Sequence, residues 1–147
     1  MNEMLRFEII SPESESYPQM IDLRLRILRL PLGLDFSPED LEAERGNFHI
    51  VGYLNGQLVA GLLLCPLSER CLKMRQVAVD SSLQGQGIGS KMIVFAEAFS
   101  RVNGFSEMTL NARERVVPFY KRLGYQVVSE RFIEVTIPHF TMQKSLH

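Results

Sequence analysis

The sequence predicts an α+β protein in which helices cover a mixed, mostly antiparallel sheet. The first half contains one helical insertion followed by three strand-like segments that form an antiparallel meander. The second half alternates strand, helix and strand, a succession that makes a right-handed crossover and therefore a locally parallel pair. The chain has 147 residues, the length of one domain. We therefore expect a single domain over residues 1–147, with a core of about 4–145.

The chain begins with a predicted strand and a predicted helix. Apolar and charged residues alternate over 5–9, which is the period of a half-buried strand. A helix is predicted over Tyr17–Arg29, and Pro31 ends it. Its apolar residues share one face, which we expect to be buried: Ile21, Leu25 and Leu28.

A short helix and the meander follow. Ser37 is a suitable N-cap with Pro38 at the first helical position, which predicts an acidic helix from Pro38 to about Arg45. Asn55-Gly56 favours a two-residue hairpin turn, because both turn positions need a positive φ. The meander therefore consists of three predicted strands: Phe48–Leu54, Leu58–Leu64 and Cys71–Val79.

The second half is organised around one long amphipathic helix. Its apolar stripe starts at Ile88 and recurs with the helical period to Val102: Ile88, Met92, Phe95, Ala96, Phe99 and Val102. Asn103-Gly104 is a typical helix end. After it we expect a strand, a short helix closed by Gly124 and two further strands: Phe105–Asn111, Val116–Leu123, Tyr125–Ser129 and Phe140–Lys144.

The composition excludes several classes of protein. Hydrophobic residues make up 46% and charged residues 22%, so the chain is not intrinsically disordered. A net charge of −1 argues against nucleic-acid binding. No apolar run is long enough to span a membrane and no signal peptide is recognisable, so a cytoplasmic location is expected. Cys65 and Cys71 form no C-x-x-C pair, and we expect reduced thiols and no metal site.

A glycine-rich segment links the third strand of the meander to the long helix, with Gly85, Gly87 and Gly89 inside five positions. The dinucleotide-binding and P-loop patterns both require a glycine where this chain has Ser90. A backbone cradle for a pyrophosphate remains, since glycines allow close approach and the amides at a helix start bind anions. The alternative is a tight strand-to-helix turn without a ligand.

In these residues the sequence resembles the GNAT superfamily of acetyl-CoA-dependent N-acetyltransferases. The acyl-CoA signature of that family is Q/R-x-x-G-x-G/A, which Gln84, Gly87 and Gly89 fill. A second cofactor segment is also similar: Asn111-Ala112, Phe119-Tyr120 and Leu123-Gly124-Tyr125. The resemblance extends from about Leu5 to Lys144. It implies a sheet of about six to seven strands with a splayed parallel pair and about four helices.

The resemblance also implies how acetyl-CoA is held. The strand near Gln76–Val79 separates from its neighbour near Met108–Asn111 in this family, and the pantetheine arm pairs with the exposed backbone. Carried over, Val77, Ala78 and Val79 hold that arm. The pyrophosphate lies on the loop amides: Gln84, Gly85, Gln86, Gly87, Ile88, Gly89 and Ser90.

Two further site residues follow from the resemblance. Asn111 bonds the pantetheine or positions a water. Tyr120 contacts the cofactor as the general acid that protonates the departing thiolate, a suitable role for a phenol. Without the resemblance, Tyr120 would be read as a packing residue beside Phe119.

The general base stays open among five residues: Glu42, Glu44, Glu114, Glu134 and His139. Of these, we assign His139 as the general base, because the pKa of a histidine suits proton transfer near neutral pH. His49 is a weaker candidate. The acidic stretch over 35–44 is either a solvated helix face or a rim that attracts a cationic amine. The neighbouring arginines fix a substrate carboxylate or pair with those acids: Arg24, Arg26 and Arg29.

The predicted function is direct transfer of the acetyl group of acetyl-CoA to a primary amine of a small molecule or peptide. Two alternatives stay open: a non-catalytic acyl-CoA sensor, and acetylation of a protein or an aminoacyl-tRNA. We expect neither nucleic acid nor membrane as a partner. Since many members of the family dimerise, the resemblance implies a homodimer.

Overall fold

The computed structural model describes residues 4–147 and contains eight strands in a mixed sheet and four α-helices. The strands are β1 Leu5–Ile10, β2 Phe48–Leu54, β3 Gln57–Pro66, β4 Cys71–Val79, β5 Glu107–Arg113, β6 Gln126–Val127, β7 Phe132–Glu134 and β8 Ile137–Ser145. The helices are α1 Ser16–Arg24, α2 Pro38–Glu44, α3 Ile88–Val102 and α4 Val117–Arg122. No helix in this range is long and apolar enough to cross a membrane.

The chain folds as two compact units. The first contains the chain up to Cys65 together with Gln76–Ala96, and the second contains Pro66–Arg75 and Glu97–His147. The division falls at the end of β3, within β4 and within α3. At the division within β4, Gln76 has a positive φ of 56°, so the backbone of β4 is irregular there.

The first unit is an antiparallel meander. β1 pairs with β2 along its full length, and β2 pairs with β3 across a hairpin. The turn of that hairpin is Asn55-Gly56, with φ values of 51° and 85°, as the dipeptide predicts. The predicted residues Ile21, Leu25 and Leu28 are half-buried, and Ile21 packs against the core of this unit, but they are not the most buried residues of the helix. The buried face is formed instead by Tyr17, Met20, Leu23 and Arg24.

The structure tests the predicted extent of the first helix and the predicted start of the second. The predicted helix over Tyr17–Arg29 is α-helical to Arg24 and continues as a π-helical segment over Leu25–Arg29. At α2 the Ser37 side chain accepts from the Asp40 amide, and the Asp40 carboxylate accepts from the Ser37 amide. This capping box confirms the predicted start of the acidic helix.

The second unit contains the predicted parallel pair. β4 and β5 pair in parallel over Cys71–Met74 and Glu107–Leu110, and the ladder ends there although both strands continue. β8 pairs antiparallel with β5, β6 and β7. The mixed, mostly antiparallel sheet is therefore confirmed, with eight strands instead of six to seven.

The structure corrects the ends of the second half. β7 was not predicted, and β8 begins at Ile137 instead of Phe140. The turn between them, Val135-Thr136, has positive φ values of 52° and 65° at two β-branched residues. Such a conformation costs about 1–2 kcal/mol per residue. Hairpin turns therefore usually contain glycine, asparagine or aspartate, and Val135-Thr136 lacks this sequence signal. In α3 the last member of the predicted stripe, Val102, is 85% exposed and lies outside the core.

Candidate active site

The glycine loop lies between β4 and α3 in the first unit. Gly85 and Gly87 both have a φ of 84°, a conformation that favours glycine. A Cβ built on either residue meets no atom within 4 Å, so it would project into open space. The requirement for glycine therefore comes from the positive φ of the backbone and not from packing within the protein.

Side chains before the loop fix its path. The Asp80 carboxylate accepts hydrogen bonds from the amide and hydroxyl of Ser82, at 3.0 and 2.7 Å, which hold the pKa of Asp80 below its usual value. The Gln84 amide group donates to the carbonyl oxygen of Val79 at 3.1 Å. The signature glutamine thus ties the loop back to the end of β4.

The start of α3 provides anion-binding groups. The Lys91 amide donates to the Gly87 carbonyl at 3.1 Å, so the amides of Ile88, Gly89 and Ser90 have no acceptor within the helix. These amides and the helix dipole favour a phosphate group at this end. The loop itself is exposed over Gln84–Gly87. This arrangement fits the pyrophosphate of an acyl-CoA.

The other residues predicted to bind the cofactor in this unit are at the end of β4. Ala78 is buried, whereas Val77 and Val79 are half-buried. The side chains alternate as a strand requires, and the backbone irregularity at Gln76 directly precedes them.

Tyr120 lies on α4 in the second unit. Its ring packs edge-to-face against Phe119 and Tyr125, with centroids 5.1 and 5.8 Å apart. Burial raises the pKa of Tyr120, so the phenol keeps its proton at neutral pH. Within residues 4–147 no group accepts a hydrogen bond from its hydroxyl.

Tyr125 anchors this aromatic cluster. Its hydroxyl donates to the buried carboxylate of Glu97 at 2.8 Å, and burial followed by the Glu97 charge raises the pKa of Tyr125. Lys144 donates to both oxygens of Glu97, at 3.0 and 3.1 Å. Glu97 of α3 and Lys144 of β8 are thereby joined to Tyr125, which packs against Tyr120, within the second unit.

Asn111 and His139 are connected through Glu134. The Asn111 amide group donates to Glu134 Oε1 at 3.3 Å, and Thr141 donates to Asn111 Oδ1 at 2.9 Å. His139 Nε2 lies 3.6 Å from Glu134 Oε2. The sequence singled out Asn111 and His139 but missed Thr141 and did not connect Glu134 with them, because the hairpin that brings them together was not predicted.

The other glutamates that the sequence offered as general bases are either paired with an arginine or largely exposed to solvent. Glu44 is buried and accepts from Arg24, Glu114 accepts from Arg131 at 2.8 Å, and the Glu42 side chain is 81% exposed. His49 is fully buried, and burial lowers its pKa. Of the acidic stretch, Glu44 and Asp40 therefore have structural roles.

Gly87→Ala tests the cradle. We expect the Kd for acetyl-CoA to rise about 10-fold or more, because the methyl group would project into the open side of the loop and a positive φ disfavours alanine. Titration calorimetry measures this directly. Gly46→Ala is the matched control, since Gly46 also has open space around its Cβ but no positive φ. Equal affinities in both variants and the wild type would remove the loop from the binding site.

The comparisons with known proteins agree with these features. A sequence model of the acetyltransferase (GNAT) domain matches residues 35–146. The uncharacterized N-acetyltransferase YjcF of Bacillus subtilis is 34% identical over 104 residues, which cover 70% of this chain and 74% of that protein.

Two solved structures share the fold. An acyl-CoA N-acyltransferase from Pseudomonas aeruginosa has a TM-score of 0.80 at 21% identity, covering 96% of this chain and 99% of that one. A GNAT family acetyltransferase from Elizabethkingia anophelis with acetyl-CoA bound has a TM-score of 0.75 at 11% identity, covering 96% and 97%. Family match, fold and glycine loop lead to one conclusion: the chain belongs to the GNAT family of acetyltransferases, for which acetyl-CoA is the typical acetyl donor.

Proposed function

We propose that this chain transfers the acetyl group of acetyl-CoA directly to a primary amine of a small molecule or peptide. The observation that carries the proposal is the loop before α3, where two glycines at positive φ leave an open face beside the free amides of a helix start. The pyrophosphate would lie on the amides of Gln84–Ser90. The pantetheine arm would pair with Val77–Val79, and Asn111 would bond it through its amide.

Acetyl-CoA supplies an acetyl group activated as a thioester. The amine nitrogen attacks the thioester carbonyl carbon, the C–S bond breaks, and Tyr120 donates its phenolic proton to the sulfur. Burial raises the pKa of Tyr120, so the phenol is protonated when the thiolate leaves. Its hydroxyl has no acceptor among residues 4–147, which leaves that proton available to a ligand.

The amine must lose a proton before or during attack, and we assign its acceptance to His139. The Nδ1 atom lies 2.7 Å from the Ile137 carbonyl oxygen and donates to it, so the neutral ring carries its lone pair on Nε2. Nε2 faces the carboxylate of Glu134. This contact connects the buried imidazole of His139 with a more exposed group.

Direct transfer also agrees with the state of the cysteines. Among residues 4–147, Cys65 and Cys71 are not joined in a disulfide, and burial raises the pKa of Cys71. Because the thiolate is the nucleophilic form, Cys71 is a poor acyl carrier at neutral pH.

Incubation with radiolabelled acetyl-CoA and a panel of primary amines tests the proposal. We expect label in at least one amine, with release of one thiol per acetyl group transferred. Protein that is folded and binds acetyl-CoA by calorimetry, yet transfers to no amine, would favour the non-catalytic sensor instead.

A further inference from the structure

The β7–β8 hairpin and β5 bring four polar side chains together on one face of the sheet, and Arg113, which lies opposite His139 in the register, is on the same face. In the register, Asn111 lies opposite Thr141, and Phe132 lies opposite His139. Because successive side chains of a strand alternate between faces, Glu134, His139, Thr141 and Asn111 all project to the same side. The hydrogen bonds and the 3.6 Å contact described above confirm that these four side chains meet.

The carboxylate of Glu134 is the exposed member of this group. Its side chain is 43% exposed, whereas that of His139 is 6% exposed. Oε1 accepts one hydrogen bond, at 3.3 Å, whereas the nearest nitrogen to Oε2 among residues 4–147 that forms an ion-pair contact is His139 Nε2, at 3.6 Å. Each oxygen of an ionised carboxylate accepts two hydrogen bonds, so most of this capacity is unused.

In the part of the chain that the structure describes, no lysine or arginine nitrogen lies within 4 Å of the Glu134 carboxylate. Among residues 4–147 its one ion-pair partner within 4 Å is His139, which is charged only when protonated. The nearby Arg131 donates to Glu114 at 2.8 Å instead. A half-exposed carboxylate that is fixed by Asn111 and has no lysine or arginine within ion-pair distance in the described range is suited to receive a cation from solution.

The hairpin turn adds to this argument. Val135 and Thr136 directly follow Glu134 and adopt the left-handed conformation at an energetic cost. At Asn55-Gly56 the same chain uses residues that suit such a turn. Costly backbone conformations of this kind are often retained where they position functional groups.

We propose that Glu134 binds the ammonium group of a cationic acceptor and thereby selects amines that are protonated in solution. The inference rests on the proposed acetyl transfer. Asn111 acts as a positioning residue for the carboxylate. The bound ammonium passes one proton through Glu134 to Nε2 of His139, which leaves the neutral amine lone pair for attack and a protonated imidazole.

The test compares Glu134→Gln with the wild type on two acceptors: spermidine, which is cationic, and aniline, which is uncharged at pH 7.5. The glutamine keeps an oxygen for Asn111 and removes only the charge. We expect the KM for spermidine to rise about 10- to 100-fold, the range for loss of a hydrogen bond to a charged group. Glu134→Asp should regain part of this affinity. The KM for aniline and the Kd for acetyl-CoA should change less than about 2-fold.

Glu114→Gln is the matched control, because Glu114 is also half-exposed and lies in the same unit but is paired with Arg131. It should leave the KM for spermidine unchanged. An unchanged KM in Glu134→Gln, while transfer proceeds, overturns the role of Glu134 and leaves the proposed function intact.

Spermidine binding measured by calorimetry separates the two proposals further. Suppose that neither the wild type nor any variant transfers acetyl to any amine of the panel, but Glu134→Gln binds spermidine at least 10-fold more weakly than the wild type. The proposed function then fails and the cation site stands. If the wild type neither transfers acetyl to spermidine nor binds it, the cation site is overturned.

Discussion

Glu44→Ala is expected to lower the free energy of unfolding by about 3–5 kcal/mol, the range for removing one partner of a buried ion pair. Arg24 is fully buried, and its Nη2 atom donates to both oxygens of Glu44, at 2.9 and 3.0 Å. Without the carboxylate, a guanidinium charge would be left in the interior of the first unit. Urea denaturation followed by circular dichroism measures the difference.

Glu42→Ala is the matched control on the same helix. Its side chain is 81% exposed, and its removal should change stability by no more than about 0.5 kcal/mol. A double replacement, Arg24→Met with Glu44→Leu, should regain most of the lost stability because it removes both charges together. A loss in Glu44→Ala as small as that in Glu42→Ala would contradict the structural role of the pair.

The acidic stretch shows how far sequence reasoning reaches in the variable first part of the chain. Its composition suggested either a solvated face or a rim for a cationic amine. The structure buries Glu44 against Arg24 and uses Asp40 in the cap of α2. The place of Asp40 three residues after the Ser37 cap indicated its role, and pairing of Arg24 with an acid of this stretch was one of the two predicted alternatives. The burial of the Arg24–Glu44 pair could not be predicted, because it depends on which residues of α1 pack most deeply. Ile21, Leu25 and Leu28 are only half-buried.

Elements with strong local signals were predicted closely. β2, β4 and α3 have the predicted bounds, and the Asn55-Gly56 turn has the predicted φ signs. The hairpin of β7 and β8 was missed because Val135-Thr136 has no turn signature. Glu134 lies opposite Ile137 in this hairpin, so Val135 and Thr136 form its two-residue turn although neither residue favours a positive φ.

The same distinction applies to the candidate site. The glycine loop is local in sequence, so its open backbone could be predicted from Gln84 to Ser90. The connection of Asn111 with Glu134 and His139 depends on strand register across β5, β7 and β8. A one-residue shift in that register would move the side chains to opposite faces. The site therefore became recognisable only with the sheet topology.

Tyr120→Phe is expected to lower kcat about 10-fold or more, since a positioned general acid contributes roughly 10²–10⁴-fold. The change removes one oxygen and keeps the ring packed against Phe119 and Tyr125. The Kd for acetyl-CoA should stay within about 2-fold of the wild type. Because the pKa of Tyr120 is raised, loss of its proton should not reduce the wild-type rate between pH 7 and 9. Steady-state kinetics at saturating acetyl-CoA, with calorimetric titration, measures each quantity.

Tyr125→Phe is the matched control, because it removes the hydroxyl of the adjacent buried tyrosine. That hydroxyl donates to Glu97, so its loss should lower stability by about 1–2 kcal/mol while kcat changes little. One variant should thus affect the rate and the other the stability, although both replace a buried tyrosine by phenylalanine. If kcat were unchanged in Tyr120→Phe, or fell equally in both variants, the proton that reaches the sulfur would have to come from another group.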